Sequence, residues 1–151
     1  MINKNRNKNK KEIDFKYSLR TYYLAHPFGS RRRLAKWQKR FELTLPKIKL
    51  INPFQVNVYE DGKCGVKRLV ETDISFTRST DGTIAFITGD PSIGTLMEIV
   101  YAYKHKKPIY VVAETEYAQR HPWIIYHATK IFSTDLDLIE FFKKREEGRI
   151  V

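Results

Sequence analysis

The chemistry that this sequence could support centres on three side chains: Glu98, Tyr23 and Asp73. Glu98 lies one turn into a predicted helix, Tyr23 lies in the first predicted strand, and Asp73 lies on a second helix. Asp73 shares a helix face with Leu69, and an inward-facing acid is costly unless it is paired or used. One carboxylate that attacks a cationic sugar carbon and one acid that protonates the departing group together break glycosidic bonds. For Asp73, a structural carboxylate that caps a neighbouring loop is an equal alternative.

Glu98 is positioned by a strand, turn, helix and strand over residues 82–112, the unit around which the chain is organised. The apolar run 83–88 predicts a strand, and the turn formers at 89–92 end it. Gly94 opens a helix that is predicted to pack on the sheet through Leu96, Ile99, Val100 and Tyr103. Glu98 then lies beside the carboxyl edge of the strand. Ligands bind at that edge of open parallel sheets, and a helix start there offers free N–H groups to an anion.

Strands and helices alternate along the rest of the chain. The predicted strands are 19–25, 48–52, 83–88, 108–113 and 130–132. The helices between and after them are predicted to bury the stripes Leu34, Trp37, Phe41 and Leu45, then Leu69, Val70 and Thr77, and finally Leu136, Ile139 and Phe142. This alternation predicts a three-layer α/β/α sandwich around a five-stranded parallel sheet in the Rossmann-like or flavodoxin-like order 2-1-3-4-5. The order reverses between strands one and three, which places a crevice between the loop 26–32 and the turn 89–95.

The crevice collects polar residues that the argument for the fold did not need. Ser30 is a predicted helix N-cap, and Arg31, Arg32 and Arg33 follow it in the first helical turn. Cations are disfavoured at a helix N-terminus, so this cluster indicates a bound phosphate for one arginine and solvation for the others. Asp90 also falls in this crevice, where it is either a binding residue or simply a turn former beside Pro91.

Composition limits the class of protein. The chain has 151 residues, 42% of them hydrophobic, which suits one domain over residues 17–151 behind a basic, disordered tail over residues 1–16. The formal charge is +11, and removing the five cations of the first eleven residues leaves +6. That balance attracts anions, but a solvated basic surface is favoured over a nucleic-acid site. The single cysteine, Cys64, the lack of a membrane span and the lack of a signal peptide predict a cytoplasmic protein.

Several kinds of site are not indicated. The four histidines have no Cys or acidic neighbours at metal-ligand spacing, so no metal site is expected. No Ser-His-Asp arrangement and no Walker loop is visible, and no cofactor is expected.

The motifs that remain resemble the nucleoside 2-deoxyribosyltransferase family. They are YLAHPF at 23–28, Asp73, Thr80-Asp81, SIGTLMEI at 92–99 and Lys107-Pro108. The match spans 19–142, and its strength lies in the order and spacing of these short motifs. The resemblance implies that Glu98 is a nucleophile that forms a covalent deoxyribosyl-enzyme. It also implies that Tyr23 orients Glu98, and that Asp73 contacts the base or water and handles the proton.

Two departures from the family pattern refine these expectations. Transferases acting on free nucleosides commonly carry an acid six residues before the nucleophile, where this chain has Ser92. The related 2'-deoxynucleoside 5'-monophosphate N-hydrolases have a phosphate-binding serine there, which favours a nucleotide substrate. His26 stands where the family usually has glycine, which alters the expected base pocket. Asp90 takes over part of the role of the missing acid in one interpretation.

The resemblance also implies an assembly. A family residue that reaches into the neighbouring subunit's site matches a position near His121, which predicts a homodimer or larger homo-oligomer with shared sites. The complete set of predicted binding residues is His26, Phe28, Ser30, Arg31, Arg32, Asp90, Ser92, Gly94 and His121.

The leading hypothesis is therefore an enzyme that cleaves the N-glycosidic bond of a 2'-deoxynucleoside 5'-monophosphate. Three alternatives remain: a 2-deoxyribosyltransferase on free nucleosides, a ribonucleotide phosphoribohydrolase, and a non-catalytic nucleotide-binding protein. The phosphoribohydrolases normally have a fuller PGGxGT turn than residues 90–95 supply.

Overall fold

The computed structural model of the chain describes residues 19–55, 65–90 and 92–150. Its strands are β1 (Arg20–Ala25), β2 (Ile48–Ile51), β3 (Gly82–Ile87), β4 (Ile109–Ala113) and β5 (Lys130–Phe132). Its α-helices are α1 (Arg31–Thr44), α2 (Val66–Ser79), α3 (Ile93–Lys104), α4 (Glu116–Arg120), α5 (Pro122–His127) and α6 (Asp135–Glu146). The predicted tail 1–16, Cys64 and most of the polar loop after β2 lie outside the described residues.

The five strands form one parallel sheet in the order β2-β1-β3-β4-β5, so the predicted fold class and strand order are confirmed. The sheet is covered on both faces, which explains why its central strands are almost continuously apolar. Because side chains alternate along a strand, Tyr22 and Leu24 face one layer, and Tyr23 and Ala25 face the other. Tyr23 thereby points toward α3.

Each face of the sheet has its own core. The first is built on the side chains of α1 and α6: Leu34, Trp37, Phe41, Leu138 and Phe142 pack against Tyr22, Leu24 and Phe86. The second is built on α3 and α5 and includes Ile99, Ala102 and Ile124. The predicted α1 stripe is confirmed, since all four of its members are buried.

The predicted buried stripes of the other helices are right in part. Thr77, Ile99 and Phe142 are buried as predicted, and Ile139 is partly buried against the first core. In α3 the sheet-facing residues are Thr95, Ile99 and Ala102, whereas Leu96 and Tyr103 are 46% and 41% exposed. In α6 Leu138 replaces Leu136, which is 70% exposed. The small residues Thr95 and Ala102 allow α3 to lie close to the sheet, and their weak apolar signal hid this face in the sequence.

Local chemistry sets the helix ends. Ser92 caps α3 by accepting a hydrogen bond from the Thr95 N–H over 3.1 Å, and Thr134 caps α6 in the same way. Pro122 occupies the first turn of α5, where the missing N–H costs no hydrogen bond. No helix within the described ranges is both long enough and apolar enough to cross a membrane.

Candidate active site

The site is centred on a hydrogen bond between Tyr23 and Glu98. The Tyr23 side chain is fully buried in β1, and its hydroxyl donates to Glu98 Oε1 over 2.8 Å. Strand alternation aims the tyrosine at α3, and the position of Glu98 in the second turn of α3 brings the carboxyl to the mouth of the sheet. The sequence-based pairing of these two residues is therefore present in the structure.

Asp73 joins this pair from α2, which packs against α3. Interaction with the Tyr23 hydroxyl also lowers the pKa of Asp73, so one phenol acts on two acids that come from different helices. A single O–H has only one proton to donate. The arrangement is therefore best satisfied when one of the two carboxyls is protonated and can itself donate.

The electrostatics of the site keep one proton on these acids near neutral pH. Burial raises the pKa of Glu98 to about 8, the Tyr23 hydrogen bond opposes this shift, and the charge of Asp73 adds to it. Burial also raises the pKa of Asp73 to about 6, again against the Tyr23 hydrogen bond. Because the groups interact, these values belong to the pair. At a pH between these two values the pair holds a single proton, and the higher pKa favours its place on Glu98. Attack by Glu98 therefore requires that this proton has moved to Asp73, which then serves as the acid.

Hydrogen bonds join the loop after β1 to the turn after β3. The Ser30 hydroxyl donates to Asp90 Oδ2 over 2.6 Å and lies 3.3 Å from Thr88 Oγ1. A Cβ at Gly29 would lie 3.1 Å from the Asp90 carboxyl, so a larger residue there would displace the Asp90 side chain by a few tenths of an ångström. The Ser30 side chain makes no helix-cap hydrogen bond, which corrects the predicted capping role. Its hydroxyl instead holds the carboxylate of Asp90.

An aromatic wall lines the same loop. The Phe28 ring is 58% exposed, lies 5.6 Å from the Phe54 ring and carries the Arg31 guanidinium 3.8 Å above its centroid. Arg31 also donates to the Phe28 carbonyl over 3.0 Å. An exposed ring backed by a second ring and a cation offers a flat apolar face of the kind on which a base stacks.

His26 lies behind this wall rather than on its surface. It is buried, its Nδ1 lies 3.0 Å from the Pro27 carbonyl and its Nε2 lies 3.2 Å from Asn52 Oδ1. Asn52 in turn donates to Gln38 Oε1 over 3.1 Å. Burial lowers the pKa of His26, which favours the neutral ring. His26 thus supports the loop through a buried polar chain.

The three arginines of α1 separate into different environments. Arg33 forms a two-pronged ion pair with Glu114, with distances of 2.7 and 3.1 Å, so this arginine is neither solvated nor free for the predicted phosphate. Arg31 lies on Phe28, and Arg32 is exposed and makes no ion pair with any described residue. Arg32 is therefore the arginine that remains available for a ligand.

The remaining predicted residues divide between the crevice and its edge. Ser92 lies at the start of α3, where its hydroxyl caps the helix and approaches Thr95 Oγ1 at 2.6 Å, and Gly94 follows in the exposed first turn. His121 lies at the start of α5, where its ring packs edge-on against Tyr117 at 5.2 Å. It makes no hydrogen bond to Tyr23, Asp73 or Glu98.

Asn52, Phe54, Thr88 and Glu114 contribute to the site but were not among the predicted site residues. Glu114 could have been predicted from the sequence, because it follows β4 at the carboxyl edge of the sheet and the arginine cluster needed an anion. No such feature marked Asn52 or Phe54. No group of three or more metal-ligating side chains is close enough to hold an ion within the described ranges.

Comparison with known proteins identifies relatives by structure only. No protein-family model matches the chain, and no curated protein matches its sequence. A conserved protein from Enterococcus faecalis V583 superposes with a TM-score of 0.70 at 18% identity, over 85% of this chain and 99% of that protein. A 2-deoxyribosyltransferase from the psychrotolerant bacterium Bacillus psychrosaccharolyticus gives 0.67 at 18% identity, over 79% and 90%. The CMP N-glycosidase BcmB of Clostridium botulinum gives 0.56 at 17% identity, over 82% and 98%.

These similarities establish the fold, and each matched structure is covered over at least 90% of its own length. At such low identity they do not establish an activity for this chain.

Proposed function

We propose that the chain is an N-glycosidase that cleaves the bond between base and sugar in a 2'-deoxynucleoside 5'-monophosphate. The observation that carries the proposal is the buried Tyr23 hydroxyl hydrogen-bonded to Glu98 at the mouth of a parallel sheet. A second acid, Asp73, also interacts with that hydroxyl. The fold shared with a 2-deoxyribosyltransferase and a CMP N-glycosidase supports the same class of reaction.

In the proposed reaction the Glu98 carboxylate attacks C1' of the sugar as the bond from C1' to the base nitrogen breaks. The electron pair of that bond leaves with the base, and Asp73 supplies the proton that neutralises it. Water then attacks C1' of the glycosyl-enzyme, gives a proton to the Asp73 carboxylate and releases Glu98. The products are the free base and deoxyribose 5-phosphate, and both acids return to their starting protonation states.

Tyr23 is the positioning residue of this scheme. Its hydrogen bond lowers the pKa of Glu98 against the effect of burial, so it favours the carboxylate that attacks. It also fixes the carboxylate in one orientation at the crevice, and a near-attack geometry lowers the barrier to nucleophilic attack.

We expect Tyr23→Phe to lower kcat for base release by about tenfold to a hundredfold. The variant should also move the acid limb of the pH profile upward, because the hydrogen bond that lowers the pKa of Glu98 is lost. Base release measured by chromatography from pH 5 to 10 checks both effects. Tyr22→Phe on the opposite face of the sheet is the matched control. An unshifted acid limb in Tyr23→Phe would contradict the assigned role.

The substrate class rests on the start of α3. Ser92 and the free N–H groups of the first turn provide hydrogen-bond donors, and no acid stands six residues before the nucleophile. Arg32 is an exposed cation that makes no ion pair with any described residue. This combination suits a 5'-phosphate. One observation favours a free nucleoside instead: the Asp90 carboxylate, held by Ser30, is an acceptor suited to a 5'-hydroxyl and repels a phosphate.

Parallel assays separate these substrates. Base release is measured from each common deoxynucleoside monophosphate, the matching deoxynucleoside and the matching ribonucleotide. The proposal predicts release from the deoxynucleoside monophosphates. Release from deoxynucleosides alone, with transfer to an added base, would identify a transferase, and release from ribonucleotides alone a phosphoribohydrolase. Calorimetric binding without any base release would identify a non-catalytic nucleotide-binding protein.

Ser92→Ala tests the phosphate contact. We expect kcat/KM for the monophosphate to fall about tenfold, while any slower reaction of the deoxynucleoside changes little. Ser75→Ala on the exposed side of α2 controls for loss of a hydroxyl elsewhere. An equal loss for both substrates would assign Ser92 to helix capping alone.

We further propose that the enzyme is a homodimer in which α3 contributes to the interface. Ile93 is 82% exposed, Met97 57% and Leu96 46%, all on the helix that carries Glu98. An apolar surface beside a site is commonly a protein contact. His121 at the start of α5 is the residue proposed to complete the partner's site.

Mixing two inactive variants tests shared sites. If His121 acts in the neighbouring subunit, Glu98→Gln and His121→Ala, which we expect to be almost inactive alone, form mixed dimers with one intact site. After equal amounts are mixed, random pairing makes half of the dimers mixed, and each mixed dimer has one of its two sites intact. Exchange should therefore restore about a quarter of the parent activity. Ile93→Lys should abolish both the restoration and the dimer seen by analytical ultracentrifugation. Dimers that exchange without restoring activity would place His121 outside the partner's site.

A further inference from the structure

A second concentration of binding groups lies at the opposite edge of the sheet from Glu98. Pro108 and Thr129 directly precede β4 and β5, so the surface around them is the amino edge of this parallel sheet. A groove of about 680 Å³ opens there, lined chiefly by Tyr103, Lys104, Lys106, Lys107, Tyr126 and His127. We call it the amino-edge groove. Its volume is of the order of a small-molecule site.

The residues that line the groove are together positively charged and include no acid. Neither of the two segments that form it, 99–113 and 121–134, contains any Asp or Glu. Lys104, Lys106 and Lys107 make no ion pair with any residue that the structure describes. Three unpaired ammonium groups on a concave surface attract an anion more strongly than the same groups spread over a convex one.

The backbone at Lys106 adopts a left-handed conformation that is unfavourable for a lysine. Its φ is 55°, the left-handed conformation that glycine usually supplies after a helix. The Lys106 and Lys107 N–H groups donate to Tyr103 and Ala102 carbonyls over 2.9 and 3.0 Å, which completes the end of α3. Glycine would adopt this conformation without strain, so a lysine side chain at this position carries a small energetic cost.

Aromatic rings adjoin the lysines. Tyr126 is 67% exposed and Tyr103 41%, with ring centroids 5.3 Å apart. His127 is buried beside them and its Nδ1 donates to the Trp123 carbonyl over 2.7 Å, which leaves Nε2 without a hydrogen bond to any described residue. Exposed aromatics next to unpaired cations are the combination by which proteins stack bases and neutralise phosphates.

From these observations we propose that the amino-edge groove binds a phosphate together with its adjoining base. The lysines take the phosphate and the exposed tyrosines take the face of the base. This chemistry is supplied either by a free nucleotide or by a single-stranded nucleic acid. The site is separate from the crevice at Glu98 and does not depend on the reaction proposed there.

Tryptophan fluorescence gives a local test. The chain has two tryptophans, of which Trp37 is 3% exposed and Trp123 is 67% exposed and stacks on His127 at 5.7 Å. The full chain is titrated with thymidine 5'-monophosphate and, separately, with an oligothymidylate of about ten nucleotides. We expect saturable quenching that weakens as salt rises. Quenching by the nucleotide alone identifies a nucleotide site, and stronger quenching by the oligomer identifies a single-strand site.

Lys106→Gly separates binding from folding. Glycine relieves the left-handed backbone, so the thermal midpoint should stay equal or rise, while affinity for the probe that binds should fall roughly tenfold. Lys39→Ala, which removes an exposed lysine from α1, is the charge-matched control and should bind within about twofold of the parent. The proposal is overturned if neither probe quenches the parent, or if Lys106→Gly binds as tightly as the parent.

Discussion

Glu98→Gln should reduce base release by at least about a thousandfold, because the amide cannot form the glycosyl-enzyme. The substitution preserves the size of the side chain and its contact with Tyr23, so the fold should be retained. The measurement is chromatography of the free base after incubation of each variant with the best deoxynucleotide. Glu140→Gln, on the exposed side of α6, which covers the opposite face of the sheet from α3, is the matched control.

The same substitution should stabilise the protein, which distinguishes loss of a nucleophile from loss of structure. Burial holds the pKa of Glu98 near 8 in the folded chain, against an ordinary value of 4.5. The folded state therefore keeps a proton that the unfolded state loses, and stability falls as pH rises from about 4.5 to about 8. Gln carries no such cost. The advantage of Glu98→Gln should grow across this range to on the order of a few kcal/mol, measured by urea unfolding.

Asp73→Asn has the second largest expected effect. If Asp73 delivers the proton to the departing base, its loss should lower kcat by about a hundredfold to ten-thousandfold. Bases that leave readily without protonation should be affected least. Removing this charge also removes one cause of the raised pKa of Glu98, so the acid limb of the remaining activity should move to lower pH.

The leaving-group dependence separates the two interpretations of Asp73. A carboxylate that only caps a loop would, on substitution, slow all bases equally and lower the unfolding free energy. A steeper dependence on the basicity of the leaving base in Asp73→Asn than in the parent supports the role of proton donor. Asp135→Asn in the half-buried first turn of α6 is a suitable control for charge.

The layout of the site followed from the sequence because it depends on regular periodicity. Alternation along β1 puts Tyr23 on the α3 face, and the reversal of strand order puts β1 beside β3. Glu98 lies one turn into the next helix, so its approach to Tyr23 follows from the fold alone. These features require only local patterns and the right-handed connection rule.

The details that were missed depend on contacts between distant segments. Ser30 is a good helix cap by residue type, but its hydroxyl binds Asp90, sixty positions away. His26 is tied to Asn52, which becomes visible only once β2 lies beside β1. The buried face of α3 includes Thr95 and Ala102, whose small side chains carry little apolar signal. Tertiary contacts, rather than propensity, decide such cases.

The central claim is that Glu98 bonds covalently to the sugar, and a trapped intermediate tests it most directly. A 2'-fluoro analogue of the best substrate is added because electron withdrawal beside C1' slows both formation and hydrolysis of the intermediate. Acid quenching, proteolysis and mass spectrometry then locate any adduct. The account predicts a sugar phosphate adduct on Glu98, absent in Glu98→Gln. A sugar adduct on any other residue, or base release from the analogue by the parent with Glu98 unmodified throughout, would contradict it.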